Sequence, residues 1–447
     1  MSVKVMSARP PLAGAFYDDF DKALQAKIDW GTVTPVNTLD EVDGVKLEDD
    51  FGSAVFKRGT KHSSHQISVG HELPRKQKAL LLHAVRESFQ LKEDHQMHEI
   101  ENPDDLVVRI KAIGLNPIDW KSVDYGYGIP HLPYVSGRDF AGTIVKAPSM
   151  TSHLRVGDTV LCPSTDYRDL RKAAFQEYAI ASHSTVCRIP QHVSVSQGAA
   201  LGVAYVAAAL ALGICLGLRI PHRSKEHGID LLRLVRETPL GRLPPDVVPE
   251  CLAIEESERA RTGDWLVVWG GSSTSALFLS QIARLAGLRV ILVVDVAKHG
   301  ARLTGANGCI CIDSHDSERA VDVIRGMTGN GLRLAIDTVG KQTAEHLARC
   351  FPSERNEDKR RPQLVGLAAL PKERLPGVVY HSVPVKLFHE VPSIGSSLMT
   401  WLEDALEHKR LDLPHVEEAP GGLGGINDAL DRMRQGQISG KRLVVPI

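Results

Sequence analysis

The 447-residue chain has no Cys-x-x-Cys pair, and its seven cysteines are scattered and odd in number. That argues against a disulfide framework and for a reducing cytosol. No charge of one sign dominates: 53 basic and 54 acidic residues nearly cancel. There is therefore no broad electrostatic footprint for nucleic acid. No apolar run reaches the roughly 20 residues that span a bilayer. The longest candidate, Ala199 to Leu218, is rich in Ala and Gly and reads as a buried helix. The first 20 positions hold acidic residues and no hydrophobic segment, so no secretory signal is expected and a cytoplasmic location is. Internal repeats are lacking too. The length leaves room for two domains and a sizeable core.

What is present centres on residues 263–276. Leu266-Val267-Val268-Trp269 reads as a short buried strand, broken by Gly270-Gly271-Ser272-Ser273-Thr274. An apolar helical face follows, with Ala276, Leu277, Leu279, Ile282 and Ala283. Strand, small-residue turn and helix make the phosphate-binding geometry of a dinucleotide fold, in which glycines admit the pyrophosphate and the helix N-terminus offers free N–H groups. The fingerprint is degenerate: Ser272 replaces the middle glycine and Ala276 the third. The serine hydroxyls are expected to donate to phosphate oxygens. Val290 to Val294 reads as the next strand and ends in Asp295, 19 residues beyond Ala276, where a ribose-contacting carboxylate should fall. Ile310 to Asp313 and Leu334 to Asp337 read as further strands, with a helix from Arg319 to Met327 between them. This alternation implies a doubly wound parallel sheet.

Residues 1–75 show no sustained period and read as a poorly ordered extension. Strand candidates begin at Ala79 to His83, and Leu106 to Ala112 alternates like a strand with one half-exposed face. Turn-rich clusters follow at Gly114-Leu115-Asn116-Pro117-Ile118-Asp119-Trp120-Lys121, Gly137-Arg138-Asp139-Phe140 and Val156-Gly157-Asp158, which imply a compact β-rich domain. Residues 201–260 read as a small-residue linking helix followed by a charged, proline-rich surface insertion with a short helix at Ile229 to Arg236. Glu255 to Arg259 reads as a solvated face.

The three clusters, in this order and ahead of a dinucleotide fold, resemble the medium-chain dehydrogenase/reductase superfamily. The resemblance covers about 76–447 and includes the closing Ile438-Ser439-Gly440-Lys441-Arg442-Leu443-Val444-Val445. It implies an α/β chain: a GroES-like β-rich catalytic domain over 76–200 and 377–447, enclosing a Rossmann domain over 261–376. The Asn-Pro-x-Asp-Trp-Lys run and the Gly-Gly-Ser-Ser turn resemble the zinc-free branch, closest to fungal trans-acting enoyl reductases and dehydrogenases that work beside polyketide synthases. Zinc-dependent relatives carry a cysteine where Asn116 stands and a histidine where Arg138 stands. Neither Asn nor Arg is a competent zinc ligand, and the four-cysteine structural-zinc lobe is missing, so no zinc is expected.

The resemblance implies an NAD(P)H-dependent oxidoreductase acting on a small molecule, favouring reduction of an activated C=C bond in an enone or enoyl thioester of secondary metabolism. A zinc-free quinone or aldehyde reductase and a non-catalytic dinucleotide-binding protein are the alternatives. It also places the loop from Asn116 to Lys121 beside the nicotinamide. Asn116 and Lys121 are the catalytic candidates, as amide and cationic donors to the carbonyl oxygen. Tyr125 and Tyr127 are candidates for proton supply or substrate shaping. Gly270, Gly271, Ser272, Ser273, Thr274, Asp295, Lys298 and His299 are the cofactor candidates. Asp295 favours NAD, whereas Lys298, His299 and Arg302 could neutralise a 2′-phosphate. NADPH is preferred, as in the resembling reductases. A polyketide synthase is a possible partner, and neither nucleic acid nor membrane is expected.

Overall fold

The computed structural model of the chain describes residues 73–223, 225–305, 308–352 and 360–447. The expectation of an unordered extension over 1–75 falls outside them, apart from its last three residues.

An antiparallel pair, β1 (Lys76–Leu81) and β2 (Gln90–Gln96), opens the described part. β3 (Asp105–Gly114) is the spine of a seven-stranded sheet. β4 (Asp139–Lys146) pairs along one edge of it, and β6 (Tyr178–Ser182) lies on the other; β5 (Thr159–Pro163) and β7 (Cys187–Arg188) extend the sheet beyond β4. The half-exposed face expected of β3 is not found. Only Arg109 is exposed, because strands flank both edges and core covers both faces. Helix α1 (Pro117–Tyr125) follows β3 directly, with Pro117 at its first position and Gly126 closing it at φ +76°, both suited to those places.

Helix α2 (Gly202–Leu210) leads toward the second half of the chain. The helix expected from Ala199 to Leu218 is instead broken before Gly202 and ends in a π turn, Ala211–Cys215. A hairpin of β8 (Ile220–His222) and β9 (Lys225–Ile229) begins the 219–260 segment. That segment is not merely surface. Ile229, Leu231, Val235, Leu243, Val247 and Cys251 enter the main core, and charged residues between them disguised the apolar spacing. Nor is 255–259 a solvated face. Glu258 and Arg259 are buried, the former paired with Arg361 and the latter with Asp230 at 2.6 Å.

The second sheet runs β10 (Trp265–Trp269), α3 (Thr274–Leu285), β11 (Arg289–Val294), α4 (Val296–Gly305), β12 (Ile310–Asp313), α5 (Ser317–Thr328), β13 (Leu332–Asp337), α6 (Lys341–Arg349), β14 (Gln363–Gly366) and β15 (Val379–Ser382). Its six strands are all parallel, in the order β12-β11-β10-β13-β14-β15. This sheet is the doubly wound type, with the order reversing between β10 and β13. It runs one strand past 376, where the chain was expected to leave it. β15 is an edge strand of mixed polarity, Val379-Tyr380-His381-Ser382, and lacks the apolar run that marks a buried strand. After α7 (Pro392–Glu407) and β16 (Val416–Glu418), β17 (Arg442–Pro446) returns to the first sheet, antiparallel to β3.

The seam between α2, α3 and α7 is aromatic. Tyr205 stacks on Trp401 at 5.8 Å and meets Phe278 edge-on at 5.7 Å, and its hydroxyl donates to Leu398 O at 2.9 Å. Phe278→Ala should lower the free energy of unfolding by about 3–5 kcal/mol in denaturant titration. A cost under about 1 kcal/mol would contradict this packing.

Candidate active site

In an open α/β sheet, ligands collect outside the carboxyl ends of the strands, at the switch point. Here that point is the exit of β10. Gly270 turns at φ +87°, and a Cβ there would lie 2.2 Å from Thr338 Oγ1; one on Gly271 would lie 2.8 Å from Leu292 Cβ. Only glycine fits the turn, which leads into the N-terminus of α3. Ser273 caps that helix: its Oγ accepts from Ala276 N at 3.1 Å and donates to Thr338 Oγ1 at 3.1 Å. Ser273 is thereby engaged in the cap, and Thr274 begins the helix. Asp337, at the end of β13, accepts from Val339 N and Gly340 N at 2.9 and 2.6 Å, and burial raises its carboxyl to about 6.

Asp295 stands at the end of β11, as expected. Its Oδ1 accepts from Lys298 N at 3.1 Å, and its Oδ2 lies 2.9 Å from Lys298 Nζ and 3.6 Å from His315 Nε2. These bonds, led by that of Lys298, hold the carboxyl below its ordinary range. His299 Nε2 lies 3.1 Å from Ser439 Oγ in the closing turn. A Cβ on Gly440 would come within 3.4 Å of both His299 and Arg302, so the last turn of the chain sits against the basic face of α4.

The loop after β3 meets a buried ionic cluster. Asn116 caps α1, and its side-chain amide donates to Asp139 Oδ2 at 2.9 Å while its Oδ1 accepts from Arg442 Nη2 at 2.6 Å. Arg442 also pairs with Asp139 Oδ2 at 2.6 Å, and Asp139 Oδ1 accepts from Val203 N at 2.7 Å. Gly202 is required beside it, because a Cβ there would stand 2.0 Å from Asp139 Oδ1. Arg138 donates to Tyr134 Oη at 2.8 Å and lies over the Tyr167 ring at 3.8 Å. Asp119 accepts from Asn116 N at 2.7 Å, and its other oxygen is buried with no partner among the described residues.

Lys121 has its Nζ 5.6 Å from the Trp120 ring centroid, and burial lowers its pKa. The carboxylates that might have neutralised it are committed elsewhere: Asp124 to Arg434 at 2.7 and 2.8 Å, Asp119 to the cap. Tyr125 packs on Trp120, and burial raises the Tyr127 phenol above its ordinary range.

Sequence reasoning missed a second set of contacts. Thr165 Oγ1 lies 2.7 Å from His389 Nδ1, and Arg168 Nη2 pairs with Glu390 at 2.5 Å. They join the loop after β5 to the short helix Leu387–Glu390 after β15. More than 220 residues separate the partners, so no local signal could have exposed them.

This combination defines a class: a GroES-like β domain joined to a dinucleotide-type parallel sheet. Residues 102–191 match the alcohol dehydrogenase GroES-like domain. The chain is 28% identical over 367 residues to a trans-enoyl reductase of Fusarium mangiferae, covering 77% of this chain and 93% of that protein. It shares its fold with an alcohol dehydrogenase superfamily protein of Novosphingobium aromaticivorans (TM-score 0.62, 17% identity, 83% and 99% covered). It also does so with a quinone oxidoreductase of Pseudomonas syringae (TM-score 0.61, 17% identity, 83% and 100% covered). The chain is a dehydrogenase/reductase enzyme that resembles the medium-chain dehydrogenase/reductase superfamily in sequence and fold. Within it, the chain resembles the fungal trans-enoyl reductases. Among the described residues, no helix is long and apolar enough to cross a membrane.

Burial raises Asp119 from 3.8 to about 7, against the pull of the Asn116 N–H and Arg138. The folded state therefore holds a proton that the unfolded chain has lost, and this group reduces stability as pH rises from about 4 to about 7. Asp119→Asn should flatten the fall in melting temperature across that window. A slope identical to wild type would contradict the assignment.

Proposed function

We propose that the chain is an NADPH-dependent, zinc-independent reductase of an activated C=C bond in an enone or enoyl thioester. It would have a catalytic domain formed mainly by 76–200 and 383–447 around a cofactor domain of about 261–382, which includes β15. The observation that carries this reading is the commitment of the two positions where zinc relatives keep ligands. Asn116 is held by Asp139 and Arg442, and Arg138 by Tyr134 and Tyr167, so both are occupied by protein-bound side chains with no zinc-binding chemistry. The resemblance to trans-enoyl reductases supports the substrate class. It also makes a polyketide synthase the proposed source of the thioester.

The Gly270-Gly271 turn and the N-terminus of α3 suit a pyrophosphate. Lys298 neutralises Asp295, which removes the acid's objection to a 2′-phosphate and leaves Arg302 to attract one, with His299, whose imidazole burial holds below its ordinary range, as a hydrogen-bond partner. A bound nicotinamide would supply the hydride. Negative charge then develops on the substrate's carbonyl oxygen and needs a donor already in place. Lys121 is the proposed donor, a cation partly withdrawn from water. Asn116, with its amide engaged, holds the start of α1 in register. Tyr127, kept protonated by burial, is the proposed proton holder for the α-carbon.

With an enone substrate, kcat/KM should favour NADPH over NADH by about tenfold or more; a clear NADH preference would overturn the coenzyme assignment. Lys121→Ala should lower kcat at least about tenfold with an unchanged melting temperature. Wild-type turnover in that variant would remove the loop from the chemistry. A parallel screen of quinones and aldehydes decides the substrate class, since faster turnover of either would displace the enoyl reading.

A further inference from the structure

Away from this crevice, three side chains with metal-binding chemistry converge where the 219–260 segment meets the last parallel strand. Cys215 closes the π turn Ala211–Cys215, Glu250 lies in the short helix Val248–Cys251, and His381 is in β15. One donor atom from each lies within 4.8 Å of the others. His381 Nδ1 is 3.0 Å from Glu250 Oε2, and Glu250 Oε1 is oriented by Ser382 N at 2.8 Å. Cys215 and His381 are wholly buried, and His381 Nε2 has no hydrogen-bond partner among the described residues.

We propose that Cys215, Glu250 and His381 form a zinc site. A thiolate, an imidazole and a carboxylate are the ligand types zinc takes, and they do not suit magnesium or calcium, which call for oxygen donors. Spacings of 3.0 Å to under 4.8 Å between donor atoms bracket the edges of a tetrahedron with bonds of about 2.0–2.3 Å. The charges balance as well: one thiolate and one carboxylate against a dication leave a neutral buried centre. Binding releases the Cys215 thiol proton to solvent. Glu250 keeps a fifth of its side chain exposed, which gives the ion an entry path and a water as fourth ligand. The ion would clamp the 219–260 segment to β15, which otherwise pairs with β14 alone. This departs from the expectation of a chain without zinc. Ligands 35 and 131 residues apart give no spacing motif.

The test uses the full-length protein, freed of metal by a chelator and titrated with cobalt(II) or zinc(II). Wild type should take up about one cobalt per chain with a thiolate-to-cobalt charge-transfer band. Zinc should raise its melting temperature by several degrees. Cys215→Ser should lose both the band and the shift, and Glu250→Gln should weaken zinc binding at least about tenfold. Absence of the band in folded wild type overturns the site, whatever the variants do. A band that persists in Cys215→Ser places the metal on another cysteine and overturns it equally. Turnover is not the readout, so the outcome is independent of the reductase assignment.

Discussion

The pairing of Arg442 with Asp139, shared by Asn116, is the constraint from which the catalytic half takes its shape. Arg442 opens the last strand, Asp139 opens β4, Asn116 caps α1, and Val203 N at the start of α2 closes the set. Four elements from distant parts of the chain thus meet at two ionised groups that are both buried. Such a pair adds little net stability over an apolar substitute, yet losing one partner strands a buried charge. Its value here lies in register: it fixes helix α1, which carries Lys121, relative to the helix leading toward the second sheet.

In the proposed zinc-independent reaction, protein contacts take the place of a catalytic metal. Asn116 is tied to Asp139 and Arg442 by hydrogen bonds, and Arg138 is held by Tyr134 and stacked on Tyr167. The proposed electrophile is then a side chain. Lys121 is the residue proposed for that role, since its neighbouring carboxylates are engaged by Arg434 and by the helix cap.

Legibility in the sequence followed range. The β10–α3 unit was readable because an apolar run, two glycines and a helical face lie consecutively. Asp295 was readable because its distance from the turn is set by one helix and one strand. The half-buried alternation expected of β3 failed because its neighbours on both edges are supplied from elsewhere in the chain. β15 escaped notice because an edge strand needs no continuous apolar run, and the apolar anchors of 219–260 were masked by interleaved charge. At the site, residue types at 116, 121, 138 and 270–274 were visible. Their partners were not, since Asn116–Arg442 and Thr165–His389 span 326 and 224 residues.

A double-mutant cycle on Asp139 and Arg442 tests the organising claim most directly. With Asp139→Leu and Arg442→Leu made singly and together and followed by denaturant unfolding, each single change should cost about 3–5 kcal/mol. The double variant should cost clearly less than their sum, with a coupling of at least about 2 kcal/mol. Additive effects, with coupling near zero, would mean that the pair does not organise this half of the protein.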